Sequence, residues 1–519
     1  MSAVTTERRA RSRTAAVVAC LAALSTLPLF VARIVPGIDY PTHLSLVRVL
    51  RAFFEDPAKF RATYETHLFQ PYWLSFYAPT LALSALLPLE LAGKVVLAAG
   101  FLCLPLAVFL LARREGVDPG AAVLATTLLY GFSFFVGLVP FVIGTHLALL
   151  ALLLVLRFDR EGSMRSLLLL HVASVGLVFA HPIAWVMFVA WSGWILLCSS
   201  SPRPVRVRRM LTAASALPVP VLVLVFYDRS LRAWSGLVGL RTTPPTTPLG
   251  MRAKFFAAVP FTSFAPELEW GLVIALVAVL ALSMWGGWDA TDRRRLLRFG
   301  GLAAMMFAAY FLAPHSAAGV LYFHARLLPF GFAFALLCGS RSPRLPRALV
   351  TARIVLALLV ISNAFLVFRA FDEEASGAIA CLERARPGTK LVGLIPQSYP
   401  TIVRYPLFLH LDNYHTALGL GSVMNHLMAM SGPSTPVTYR TPPFHDTRMG
   451  LEEHPEWFDY ARMGSGVDYF FVHGGRAQLR NGVMVPTDLS LLGAGYVNST
   501  LVCEQGRSRL YEHRAPAPR

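Results

Sequence analysis

Residues able to do acid–base chemistry stand close together early in the chain, in GIDYPTHLSLVRVLRAFFEDPAKF (37–60). Asp39 precedes Pro41, a residue favoured in the first turn of a helix, and His43 follows one turn later. A helix beginning at Asp39 or Tyr40 makes Asp39 its N-cap and brings His43 to the same face. A carboxylate and an imidazole so placed could take a proton from a hydroxyl group. The plainer account of the same spacing is a capping aspartate and nothing more. Two further places carry reactive types. FAHPIAW holds His181 before Pro182, and APHSAAGVLYFHARLLPF (313–330) holds His315, Tyr322, His324 and Arg326. A guanidinium such as Arg326 can grip a phosphate through two parallel hydrogen bonds. Its plainer role is to snorkel towards lipid headgroups. A histidine in a proline-bounded turn is the corresponding account of His181. Arg48 and Arg51 lie on the Asp39 helix and could add positive potential, although a solvated helix face explains them equally.

The elements that must position these groups are membrane helices. Of 519 residues, 55% are hydrophobic and 15% charged, against about 25% charged in soluble domains. Mean hydropathy is +0.55. The apolar residues fall in blocks near the roughly 20 residues that span a bilayer. The first, 14–32, follows a basic head. It is longer than a signal-peptide core of about 7–15 residues and lacks a clear small-x-small cleavage site, so it reads as a retained helix.

A net charge of +18 would suit nucleic-acid binding, but four of the 47 cationic residues are lysine and the arginines sit in short loops between apolar blocks. That is the distribution of cytoplasmic loops, and nucleic acid is excluded as a partner. Clusters at Arg8/Arg9/Arg11/Arg13, Arg113/Arg114, Arg157/Arg160/Arg165, Arg203/Arg206/Arg208/Arg209, Arg293/Arg294/Arg295/Arg298 and Arg341/Arg344/Arg347 all fall on one side in a single threading. Its spans are 14–35, 90–112, 119–137, 139–156, 166–181, 183–199, 210–227, 270–286, 299–314, 327–340 and 348–368. These make about eleven crossings, with the N-terminus in the cytoplasm and the C-terminus outside. The piece 72–88 would invert every later cluster if it crossed, so it is expected to lie along or dip into the outer leaflet. Its aromatic start suits an interface.

The chain thus reads as a polytopic α-helical membrane domain (1–369) with an outer loop, 36–88, carrying interfacial helices. An extracytoplasmic α/β domain (370–519) follows. Within that tail, 390–395, 468–473, 499–505 and 508–514 read as strands, and 372–385 and 452–463 as helices. Cys381 and Cys503 share the oxidising side, where a disulfide is permitted, but spacing does not supply its geometry. His410, Asp412, His415, His426, His445, Asp446 and His454 form a histidine-rich stretch whose spacings match no metal-ligand pattern.

A span followed by an exported loop opening on an acid resembles the GT-C superfamily, polytopic glycosyltransferases that use polyprenyl-phosphate-linked sugars. Protein mannosyltransferases and aminoarabinose transferases are its relatives here. Pro71, Tyr72, Trp73 and Leu74 look like that family's P-x-x-Y-W-L stretch, with Lys94 near where arginine is usual. Asp39 matches the position of the family's catalytic acid, although the sequence has Asp39-x-x-x-His43 rather than the paired acids Asp-Glu of protein mannosyltransferases.

The resemblance implies an inverting transfer at the outer face of a bacterial inner membrane. Asp39 would be the base, with His43 assisting, and Arg326, Arg51 and His181 would hold the donor phosphate. His324, Tyr322, His315 and Lys94 are further candidates. It implies a polyprenyl-phosphate sugar donor, a glycan, lipid or protein acceptor, no certain cofactor, and a divalent metal only as some relatives use one. Two other classes fit the same spans: a transporter or flippase, and a non-catalytic scaffold in envelope polymer assembly. A transporter tends to show internal repeats and mid-span charges, and the candidate residues here sit at outer span ends.

Overall fold

The computed structural model describes residues 2–67, 71–227, 248–263, 265–284, 290–315, 322–339, 346–424, 426, 428, 435–444, 450–464, 466–474, 477–480, 483–486 and 499–513. His445, Asp446, most of the turn-rich 242–248 and the loop arginines 341 and 344 lie outside them.

Among the described residues six helices are long and apolar enough to cross a membrane: Ser12–Val31, Leu89–Glu115, Val139–Glu161, Pro266–Met284, Arg293–Leu312 and Arg347–Leu382. The pair Arg203–Ala214 and Pro218–Tyr227, bent by 42°, would make a seventh. The remaining blocks form shorter apolar helices at 119–128, 164–180 and 182–197, and nine residues at Leu328–Leu336. The expected span 119–137 is therefore interrupted. Its chain breaks because Phe132 N–H bonds to Val259 O at 2.8 Å, and a side chain at Gly131 would meet that carbonyl at 2.3 Å. The piece 72–88 holds a five-residue π turn, Trp73–Tyr77, and a six-residue helix, Ala78–Leu83. Together they are about 17 Å long, too short to cross.

The molecule has two chemically different poles. At one end of Leu89–Glu115, the Lys94 ammonium donates to Ala32 O (2.7 Å) and Arg33 O (2.9 Å). At the other end, Arg160 donates to Arg114 O at 3.0 Å. Twenty helical residues between them rise about 30 Å, the thickness of a hydrocarbon core. The arginine-rich pole is held by buried carboxylates. Asp159 accepts from Arg298 at 2.8 Å and lies 3.7 Å from Arg209. Glu115 faces Arg160 and Arg298, and Asp118 pairs with the buried Arg353.

At the opposite pole stands the tail. Arg347–Leu382 runs 36 residues, about 54 Å, so it continues beyond a bilayer and its end becomes part of the tail. A five-stranded mixed sheet packs on it. With strands numbered in chain order, β1 is Tyr64–Thr66, β2 Lys390–Leu394, β3 Ser422–Val423, β4 Val437–Tyr439, β5 Tyr469–His473, β6 Ala477–Arg480, β7 Val483–Pro486, β8 Ser499–Gln505 and β9 Ser508–His513. The sheet order is β3-β2-β5-β9-β8, with β3, β2 and β5 parallel and β8–β9 an antiparallel hairpin.

The tail strands match the sequence expectation closely, because short β-branched and aromatic runs bounded by turns are local signals. The expected helix at 452–463 is instead a 3₁₀ turn, Pro455–Trp457, and a single helical turn, Tyr460–Met463. Cys381 and Cys503 form a disulfide with Cα atoms 5.4 Å apart.

Contacts of several kinds seat the tail on the loop 36–88. β1 pairs antiparallel with β4, Tyr64 opposite Tyr439. Asn413 Nδ2 donates to Thr42 Oγ1 at 2.6 Å, and His426 Nε2 meets Ser45 Oγ. The loop 36–88 and the tail therefore share one side of the molecule.

Candidate functional site

Asp39 is placed by two short strips of backbone. Ile38 N–H bonds to Phe135 O at 3.0 Å and Asp39 N–H to Val136 O at 3.3 Å. Gly137, at φ +84°, lets this approach happen, since a Cβ there would lie 2.3 Å from the Asp39 nitrogen. The helix Tyr40–Glu55 starts at the next residue with Pro41 in its first turn, as expected, but the Asp39 side chain makes no capping hydrogen bond. Its carboxylate is turned elsewhere.

It faces an imidazole from the tail. His410 Nε2 lies 3.7 Å from Asp39 Oδ1. Behind it, Nδ1–H donates to Glu452 Oε1 at 2.9 Å, and the His410 backbone N–H donates to Glu452 Oε2 at 2.8 Å. Some 28% of the Asp39 side chain and 19% of the His410 side chain remain uncovered. Burial raises Asp39 above the usual carboxylate range, and His410 and Arg326 pull against that rise. Burial works to lower His410, but the charge and hydrogen bond of Glu452 and the charge of Asp39 push it up to about 10.

Arg326 acts on Asp39 through charge. Burial lowers its guanidinium to about 10 against the opposing pull of Tyr72 and Asp39, so it stays cationic at neutral pH. It lies over the Phe141 ring at 5.1 Å. His181 packs against that ring at 5.3 Å and against Tyr72 at 4.7 Å. Its Nδ1 accepts from Ile183 N–H at 3.1 Å, capping the helix Pro182–Leu197. Gly144 makes room for it, as a Cβ there would come within 2.9 Å of the His181 Cβ. Tyr72 itself holds φ +87° and accepts from Tyr227 OH at 3.2 Å. Arg326, His181 and Tyr72 thus gather around Phe141, with Asp39 within electrostatic reach of the guanidinium.

Other candidates go elsewhere. His43 is not the imidazole beside Asp39. Its Nε2–H donates to Gly137 O at 3.1 Å, so Nδ1 accepts from Tyr77 OH at 2.7 Å. Burial pushes it down to about 4 and the Gly137 carbonyl only partly offsets that, leaving it neutral. One turn of helix brought it to the right level, but its ring was drawn to Tyr77. Arg51 pairs with Glu55 at 2.9 Å and donates to Ser84 O at 2.9 Å. Twelve residues of helix, about 18 Å, separate it from Asp39. Lys94 is occupied by the Ala32 and Arg33 carbonyls.

His315, Tyr322 and His324 make a separate cluster. The His315 ring lies 4.8 Å from Tyr322 and 5.4 Å from His324. Arg252, which binds the carbonyls of Tyr310, Phe311 and Ala313, is nearby. Burial together with Arg252 lowers His324 to about 4. Phe132 links this cluster to the tail, touching Tyr322 at 5.2 Å and Tyr405 at 5.6 Å.

In the histidine-rich stretch, His415 bonds to Thr389 O at 3.0 Å and His454 stacks on Trp457 at 4.1 Å. Among the described residues no group of three or more His, Cys, Asp or Glu side chains could hold a metal ion. The sequence reading missed His410 and Glu452 as site residues. The only signal of His410 was membership of that stretch, which spacing did not distinguish from its neighbours, and Glu452 carried none beyond its place at the start of the expected helix 452–463. No protein-family model and no curated protein matches the chain.

Proposed function

We propose that the chain is a GT-C-type inverting glycosyltransferase that moves a sugar from a polyprenyl-phosphate donor to a glycan, lipid or protein acceptor. It would work at the outer face of a bacterial inner membrane. The observation that carries the reading is a partly open carboxylate, Asp39, within electrostatic reach of a buried guanidinium, Arg326, at the pole opposite the arginine clusters. A direct displacement needs this pair. Asp39 takes the proton of the acceptor hydroxyl as its oxygen bonds to the anomeric carbon. The bond from that carbon to the phosphate oxygen breaks, and the electron pair leaves with the polyprenyl phosphate. Arg326 meets the charge that develops there, in a setting where fixed cations act strongly. Tyr72 and His181 keep the guanidinium oriented through Phe141 and their own packing.

The positive-inside rule puts the Asp159–Arg298 pole in the cytosol and the tail outside. The eleven-span threading belongs to this proposal, with the four shorter helices completing the bundle. His43 and Arg51 are assigned no part in the chemistry.

The test is sugar transfer by the purified protein from a panel of polyprenyl-phosphate monosaccharides, with Asp39→Asn beside it. Loss of the base is expected to lower turnover about 10²–10⁴-fold while the protein stays folded. Transfer by Asp39→Asn at the normal rate would overturn the assignment of the base. Absence of transfer from every donor in the panel would leave a non-catalytic scaffold as the better reading.

A further inference from the structure

Contacts that involve no site residue join the tail to the outer loop: Asn413 to Thr42, His426 to Ser45, and β4 to β1. The contact of His410 with Asp39 is different in kind. At 3.7 Å it is too wide for a hydrogen bond and both side chains stay partly uncovered. It is therefore a poor clamp and a good charge–charge contact, with room for a hydroxyl to reach the carboxylate. One carboxylate, Glu452, grips His410 twice, by its ring Nδ1–H at 2.9 Å and its backbone N–H at 2.8 Å. That double grip holds His410 at φ +64°, a left-handed backbone that a side-chain-bearing residue adopts at a cost. The Glu452 side chain is itself 3% exposed and its own backbone carbonyl accepts from Ile395 N–H at 2.6 Å.

We propose that the tail domain completes the acid–base centre: Glu452 fixes the His410 imidazole so that Nε2 faces Asp39, and His410 is the positioning residue that keeps Asp39 ionised. The proposal rests on Asp39 being the base, and it gives the tail a part in the reaction beyond seating an acceptor. The groups facing Asp39 are His410, Arg326, Glu452 and Tyr77. Those facing His410 are Glu452, Asp39 and Asp412, with His426 close by. Of the cations, Arg326 is needed by the leaving phosphate. His410 is the one left to offset burial of the carboxylate once the donor is bound. The balance of the two cations against burial seen in Asp39 agrees with this arrangement.

The test uses the full-length protein in nanodiscs without substrate. Infrared absorption of the protonated carboxyl, assigned to Asp39 by its loss in Asp39→Asn, gives the titration midpoint. His410→Gln is made with and without a Thr42→Cys/Asn413→Cys cross-link, which keeps the tail seated. The Asp39 midpoint is expected to rise by about 1–3 pH units in both, as for a carboxylate that loses a neighbouring cation. In Glu452→Gln, the His410 midpoint read by ¹⁵N resonance should fall from about 10 towards the ordinary imidazole value of about 6.5. An Asp39 midpoint unmoved in the cross-linked His410→Gln protein would overturn the proposal. If the midpoint moves but no polyprenyl-linked sugar is transferred, the coupled pair stands and the glycosyltransferase reading falls.

Discussion

A side chain at position 137 would sit 2.3 Å from the Asp39 backbone nitrogen, and the φ of +84° there is one that L-residues rarely adopt. The Gly137 carbonyl also accepts from His43 at 3.1 Å, which fixes that histidine's tautomer. One residue therefore sets both the depth of Asp39 and the orientation of its helix neighbour. Gly137→Ala should cost about 1–3 kcal/mol from the dihedral alone, visible as a lowered midpoint in denaturant, and should reduce sugar transfer in the protein that remains folded. Unchanged stability in the Gly137→Ala variant would mean that the backbone strips 37–39 and 135–137 do not hold Asp39. Three of the four left-handed non-glycine residues among those described, Tyr72, Tyr322 and His410, lie at the site or the cluster beside it. Strain of that kind persists only where surrounding contacts overrule it.

Among the elements, the helices divide by how their polar ends are satisfied. The shorter apolar helices 119–128, 164–180, 182–197 and 328–336 pack against longer ones. At the arginine pole, long helices end in ion pairs. Val139–Glu161 carries Asp159 in its last turn, 5% exposed and held by Arg298 and Arg209. Removing one partner of a buried pair leaves the other charge undercompensated, here with Arg209 and Ser199 left on Asp159. Arg298→Ala is expected to destabilise by about 3–5 kcal/mol, whereas Arg298→Met together with Asp159→Asn should recover most of that loss. Equal stability of the single and double variants, measured by unfolding in mixed micelles, would show that Arg298 does not carry the pairing. Sequence reading found these arginines because charge clusters between apolar blocks are local patterns. It did not find their acidic partners, because Asp159, Glu115 and Asp118 look like ordinary helix-end residues.

At the scale of the whole molecule, the arginine pole and the tail pole lie about one hydrocarbon thickness apart, roughly 30 Å, and the candidate site lies at the tail pole. Labelling with a membrane-impermeant maleimide tests the orientation on a background without the four free cysteines, Cys20, Cys103, Cys198 and Cys338. Leu86 and Met164 are 84% and 77% exposed, and single cysteines there should label differently, Leu86→Cys in intact cells and Met164→Cys only once the cells are opened. Labelling of both from one side would overturn the threading and with it the outer-face site.

Sequence by itself determined what depends on neighbours in the chain. Apolar runs gave the helices, alternation and turn residues gave β2, β5, β8 and β9, and Pro41 marked the start of the Asp39 helix. Asp39 stood out by its spacing to Pro41 and His43, His181 by its proline-bounded turn, and Arg326 as a guanidinium at a span end able to grip a phosphate. The tertiary structure alone decided which groups meet. It turned His43 towards Tyr77, tied Arg51 to Glu55, joined Cys381 to Cys503 and carried His410 and Glu452 to Asp39. Such encounters arise from the packing of segments far apart in the chain. No spacing along the chain records them, since the free energy that selects them belongs to the assembled core and to no single stretch of it.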